Sequence, residues 1–278
     1  MRILMSVVVL VTGSLLVALT SSANMETAFK WRYIDYNWPS KAERSEAIRT
    51  GAYNTSAPLP MDVDVSHDGR VFLSMEGGPG VPARLGYVTK NKSSAGPLLQ
   101  PYPDWSWHQG NDCDTTIKEV LRVSIDKCNR LWVLDTGSRN ASKRLCQPKV
   151  LVFDLNNDSL ISRIILPDEI IQEARTNLSL PATIIVETHG YVCHDTTEIV
   201  AQDSERLQYA DGIKVIRRPA VPEEELWVLS NRHTLYRSNQ MDFKDFNFYV
   251  LRSPVRSLIA GTKCELPKEI SDALIPSY

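Results

Sequence analysis

One short phrase is written three times along this chain. LWVL stands at 131–134 inside VSIDKCNRLWVLD and again at 226–229 inside EEELWVLSNR, and a looser copy runs through VDVSHDGRVFLSM at 63–75. In the looser copy Val63 and Val65 alternate with polar residues, His67-Asp68-Gly69 carries turn chemistry, and Val71-Phe72-Leu73 is a short apolar run. The pattern is that of strand, tight turn and strand. The second copy repeats it with Lys127-Cys128-Asn129 at the turn, and Arg70 and Arg130 hold the same place in each. VLVFDL at 150–155 supplies a following strand, and IKVI at 213–216 precedes the last LWVL. A hairpin unit recurring every 40–60 residues or so predicts an all-β chain of propeller blades, each a small sheet that covers its faces against its neighbours. LWVL is then an inner blade strand, apolar because both of its faces are covered.

Two short helices punctuate the strands. Ser40 and Glu43 form a capping box that opens KAERSEAIRT, with Gly51 closing it, and PDEIIQEAR from Pro167 has the proline and acids of a helix start. The net charge of -2 comes from interspersed acids and bases. It provides no basic field for nucleic acid.

The first residues read as an address. Arg2, an apolar run from Ile3 to Leu19 and small residues at Ser21 and Ala23 give the pattern of a secretory signal peptide spanning 1–23. The competing reading is a membrane anchor, which the run is barely long enough to be. Residues 24–278 form the expected mature domain, secreted and free of the membrane. Five sequons agree with export, at Asn54, Asn91, Asn140, Asn157 and Asn177. So do five cysteines, an odd number that leaves one thiol over in an oxidising compartment. Metal is the competing use of cysteine, but no CxxC or HxxxH occurs. We expect neither a metal nor a cofactor.

Strand order restricts the disulfides. Cys113 precedes VLRVSI, Cys128 lies in the turn at the far end, and Cys146 follows the return strand. Two strand passages bring Cys146 back to the end where Cys113 lies, whereas Cys128 is a strand length away, about 20 Å. The expected bond is Cys113–Cys146, since cross-linked Cα atoms lie within about 7 Å. Cys193 is the nearest candidate partner for Cys128, and Cys264 is left over.

Many long motifs in order, from about Trp31 to Cys264, resemble the major royal jelly protein and yellow family of insects. Among them are PLPMDVDVSHDGRVFLSM, LLQPYPDWSWHQGNDCD, LRVSIDKCNRLWVLDTG, CQPKVLVFDL, ELWVLSNR and FNFYVLRSPVRSLIAGTKC. The resemblance implies a six-bladed β-propeller and a secreted, commonly glycosylated product. It also implies roles in pigmentation, nutrition or amine binding. The chain departs from the family in length. TIIVETHGYVCHDT at 183–196 runs almost directly into EIVAQDSERLQYADGIKVI, where the family has several further blades, so an internal deletion is placed near 190–198. About four blade-sized units of ~60 residues fit what is left.

Candidate chemistry is sparse. His67, His108, His189, His194 and His233 are scattered, and no GxSxG, HExxH or P-loop pattern is present. GGPG at 77–80 reads as a loop, not a phosphate cradle. Trp105 and Trp107, with Asp104 or Asp114 as countercharge, could stack on an aromatic amine or catechol-type ligand. The alternative for these rings is packing between blades. Asp112 and Asp114 are too few carboxylates for a calcium site. The expected function is that of a noncatalytic secreted glycoprotein for secretion, storage or ligand binding. The alternatives are a yellow-type enzyme acting on dopachrome-like intermediates and a truncated isoform of little activity.

Overall fold

The computed structural model describes residues 25–140, 143–166, 201 and 203–262, together with two dipeptides, Ile3–Leu4 and Tyr191–Val192, that pair in parallel. Apart from those dipeptides, the expected leader at 1–23, the helix from Pro167, the junction near 190–198, Asn177, His189, His194, Cys193 and Cys264 lie outside the described residues.

Three four-stranded antiparallel sheets carry the described chain. The first contains β2 (Pro60–Val65), β3 (Val71–Met75), β4 (Leu85–Ser93) and β5 (Gly96–Pro101) in sequence order. The second contains β6 (Val120–Ile125), β7 (Arg130–Asp135), β8 (Lys149–Asp154) and β9 (Ser159–Ile165), also in order. The third contains β10 (Tyr209–Arg218), β11 (Val221–Asn231) and β12 (Phe248–Pro254). Its fourth strand is β1 (Glu26–Trp31), from the opposite end of the chain, paired to β12 with Phe248 opposite Trp31. No local pattern in ETAFKW announces that pairing. It ties the N-terminal part of the chain to the last sheet.

The inner edge strands β10, β2 and β6 lie side by side, so the first sheet sits between the third and the second. This is a row of blade units. Three such units are present among the described residues, with β1 completing the third sheet; the expected count of about four covers residues 24–278, of which 167–190, 193–200 and 263–278 lie outside the described residues.

Both LWVL phrases lie on second strands, β7 and β11, with a strand on either side. The turn that precedes β7 places Asn129 at φ 58, and the matching turn before β3 places Gly69 at φ 86, the left-handed conformation that these residue types tolerate best. The capping box forms as expected: the Glu43 N–H donates to Ser40 Oγ at 3.1 Å, and α1 spans Lys41–Arg49. Cys113 and Cys146 are bonded with Cα atoms 5.5 Å apart. Cys128 is a free, exposed thiol at its hairpin tip.

Candidate functional site

The polar residues of the inner strands gather on one seam. Cross-strand partners share a face of a sheet, so Asp64 sits beside Phe72, its partner on β3, and both face the second sheet. Asp62 Oδ2 accepts the Val123 N–H at 3.0 Å, and Asp64 Oδ2 accepts the Ile125 N–H at 2.8 Å, so both carboxylates grip the backbone of β6. Their other oxygens accept the N–H groups of Val63 and Val65. From the third sheet, Lys214 Nζ reaches Asp62 Oδ2 at 3.3 Å and donates to the Val123 carbonyl at 2.8 Å. One lysine therefore touches all three sheets.

Arg122 completes the seam from the second sheet. It donates to the Met61 carbonyl at 2.6 Å and pairs with Asp211 Oδ1 at 2.8 Å. The Asn231 amide donates to the second Asp211 oxygen and to the Pro60 carbonyl. Gly212 is required by this approach: a Cβ there would stand 2.7 Å from Asp62 Oδ1 and 2.9 Å from the Val63 nitrogen. Burial pushes both carboxyls up, Asp64 to about 7, against the opposing pull of Lys214 and the strand amides. Each oxygen of Asp62, Asp64 and Asp211 has a protein donor. The seam fastens three sheets.

A second polar cluster lies at the Cys113–Cys146 end of the second sheet. Lys149 Nζ meets Asp135 Oδ2 at 2.8 Å with both side chains buried, and also donates to the Thr116 carbonyl. Asp135 further accepts from the N–H groups of Lys118, Glu119 and Gly137. Glu119, raised chiefly by burial, accepts from the Thr136 hydroxyl.

The structure does not bring the expected ligand residues together. Trp105 packs with Trp38 at 4.6 Å between ring centroids and with Tyr36 at 5.9 Å, on one side of the first sheet. Trp107 packs on Phe153 at 5.3 Å, in the cluster between the first and second sheets. Asp104 caps the 3-10 turn that carries both tryptophans by accepting from Ser106, and Asp114 turns to Arg163 at 3.6 Å. Both tryptophans are partly buried against these clusters. Asp112 is occupied by the Asp114 N–H and the Thr115 hydroxyl.

His108 is buried. Its Nδ1 accepts the Arg84 N–H, its Nε2 meets the Tyr102 carbonyl, and burial lowers it to about 3 with the Arg84 charge assisting. It is a neutral structural histidine. His233 stacks on Tyr209, and the His67 N–H donates to Asn129 across the first two hairpin turns. Asn54, Asn91 and Asn157 have exposed side chains, and Asn140 lies on the backbone of a short strand, Ser138–Asn140.

The family described as Major royal jelly protein matches residues 119–197 and 176–264, two overlapping stretches that together cover more than half of the chain. This chain belongs to the major royal jelly protein family. Major royal jelly protein 6 of Apis mellifera is 38% identical over 187 residues, covering 66% of this chain and 42% of that protein. Major royal jelly protein 1 of the same species is 35% identical over 177 residues, covering 64% of this chain and 40% of that protein. The match thus spans less than half the length of these royal jelly proteins.

Sequence reading had missed the seam in this royal jelly family member. Asp62 and Asp64 were read only as the polar half of an alternating strand. The available signal was two acids so placed on an inner strand, with Lys214 at the corresponding register on another.

Proposed function

We propose that this chain is a secreted, noncatalytic glycoprotein of the royal jelly and yellow type, serving in secretion, storage or weak capture of small ligands. The observation that carries this reading is the seam, where the carboxylates of the inner strands are all taken up by strand amides, Lys214, Arg122 and Asn231. Engaged in this way, these carboxylates serve to hold the sheets against one another. The exposed asparagines of three sequons support the glycan assignment, and among the described residues no helix is long and apolar enough to cross a membrane.

Aromatic amines or catechols enter this proposal as weak ligands only, since Trp105 and Trp107 face different clusters. The test is expression in secreting insect cells. Intact mass before and after glycosidase is expected to show a cleaved leader and at least one glycan. Calorimetry with dopamine is expected to show no submicromolar binding, and a dopachrome conversion assay no turnover. Turnover above the protein-free rate would replace this reading with the yellow-type enzyme.

A further inference from the structure

Pairing the charges of the seam leaves one acid over. Lys214 takes Asp62 at 3.3 Å and Arg122 takes Asp211 at 2.8 Å, each between residues of different sheets. Asp64 is 4% exposed, and among the described residues no cation forms an ion pair with it. Its oxygens accept the N–H groups of Val65 and Ile125, both at 2.8 Å. Lys214 pulls on Asp64 from farther off, but its ammonium is committed to Asp62 and the Val123 carbonyl.

The other charged groups on the elements packed against Asp64 are engaged elsewhere. Arg70 bonds Asp158 and Asp68, and Asp126 bonds Arg130. Arg217 and Arg218 of β10 pair with Glu224 and Glu225. His67, in the turn after β2, sends its N–H to Asn129. A buried carboxylate without a cation of its own costs more than two amide hydrogen bonds return, so the group holds its proton. Burial raises Asp64 to about 7, against the pull of Lys214 and the two amides. In water the same carboxyl titrates at about 3.9. Between these values closing the seam takes up a proton, so acid favours the closed form, and that advantage is lost as pH rises toward 7.

We propose that the contact between the first and second sheets is a pH-sensitive fastening, closed while Asp64 carries a proton and opened locally, to let water reach the carboxylate, when Asp64 ionises. The two sheets stay joined farther out. Tyr102 packs edge-on against Phe72 and Phe153, and Arg70 crosses to Asp158 at 2.8 Å. The inner strands β2 and β6 part while these outer contacts hold.

The test is amide hydrogen exchange of the full chain from pH 5 to 8, each rate taken relative to that of an unstructured amide. The Val123 and Ile125 amides donate to Asp62 and Asp64, so they report on the seam directly. Their protection is expected to fall at least roughly ten-fold across that range. Amides of β8, which is paired with β7 and β9, are expected to stay better protected than these two at every pH, because the second sheet itself remains folded. The fall should disappear in Asp64→Asn and persist in His67→Gln. Carbon-13 NMR of the wild type labelled at its aspartate carboxyls needs no variant to fold, and one aspartate is expected to titrate near neutral pH. Protection at Val123 and Ile125 that does not change with pH would overturn the proposal. So would a fall that survives Asp64→Asn or vanishes in His67→Gln, β8 amides that exchange as fast as these two, or aspartates that all titrate in the ordinary carboxylate range.

Discussion

The first and second sheets share a sequence plan but are held in place by different means. In the first sheet both faces are covered by neighbours, and its polar side chains are directed outward to them: Asp62 and Asp64 to the amides of β6, Arg70 to Asp158 and the Leu155 carbonyl. The second sheet has one described neighbour and carries fastenings of its own. The Cys113–Cys146 bond and the buried Asp135–Lys149 pair both lie at one end of it. Phe72 and Trp132 show the contrast at a single register position. Phe72 is fully buried among Tyr87, Tyr102 and the apolar side chains of the second sheet, while Trp132 is half-buried. A position in the repeat fixes which way a side chain points, and the neighbouring sheet decides how much that contributes.

The largest effect expected is at that pair. Phe72→Ala should cost about 3–5 kcal/mol, the range for deleting a buried aromatic ring. Trp132→Ala should cost about 1–2 kcal/mol, since less of its surface is withdrawn from water. Urea unfolding of both variants measures the difference, and equal losses would mean that the second sheet is as well covered as the first.

The own-fastening argument is sharpened with cysteine. The bond closes a loop with a sequence separation of 33. Replacing both Cys113 and Cys146 by serine should cost roughly 3–4 kcal/mol in the chain-entropy model. Cys128→Ser, at an exposed hairpin tip of the same sheet, should stay within about 0.5 kcal/mol of wild type. A large loss from Cys128→Ser would place that thiol in a bond.

The seam makes a prediction in pH. The folded Asp64 carboxyl is pushed up to about 7 by burial, above its unfolded value. Between those two values the unfolded chain releases this proton while the folded chain keeps it, so stability contributed by Asp64 is full at acid pH and is lost as pH rises toward 7. Asp64→Asn removes that titration and gives up one strand hydrogen bond. Melting temperatures from pH 4 to 7 should therefore show the variant's deficit shrinking as pH rises. A constant deficit would mean that Lys214 holds Asp64 ionised throughout.

How much of this was legible differs by the range of the contact. The hairpins, the capping box at Ser40 and the Cys113–Cys146 bond depend on residues near one another or on strand counting, and a local pattern carries them. The β1–β12 pairing joins residues more than two hundred positions apart, and nothing in ETAFKW announces it. Asp62 and Asp64 entered only as the polar half of an alternating strand, because alternation alone does not distinguish water from a neighbouring sheet. Trp105 and Trp107 offered either a ligand site or packing between blades, and the 3-10 turn at Trp105–His108 sets them, partly buried, against separate clusters.

The smallest effects concern the two arginines that first revealed the repeat. Arg70 makes two bonds to Asp158, one to the Leu155 carbonyl and one to Asp68, and lies over the Phe72 and Tyr87 rings. Arg130 bonds Asp126 of its own hairpin and lies over Trp132, with 41% of its side chain exposed. Arg70→Ala removes a bond between sheets and leaves the Leu155 carbonyl and Asp158 without this donor. It should cost about 1–2 kcal/mol, discounted from the value of a buried charged hydrogen bond because Asp158 is half in water. Arg130→Ala should cost less than about 1 kcal/mol, the ordinary worth of an exposed ion pair.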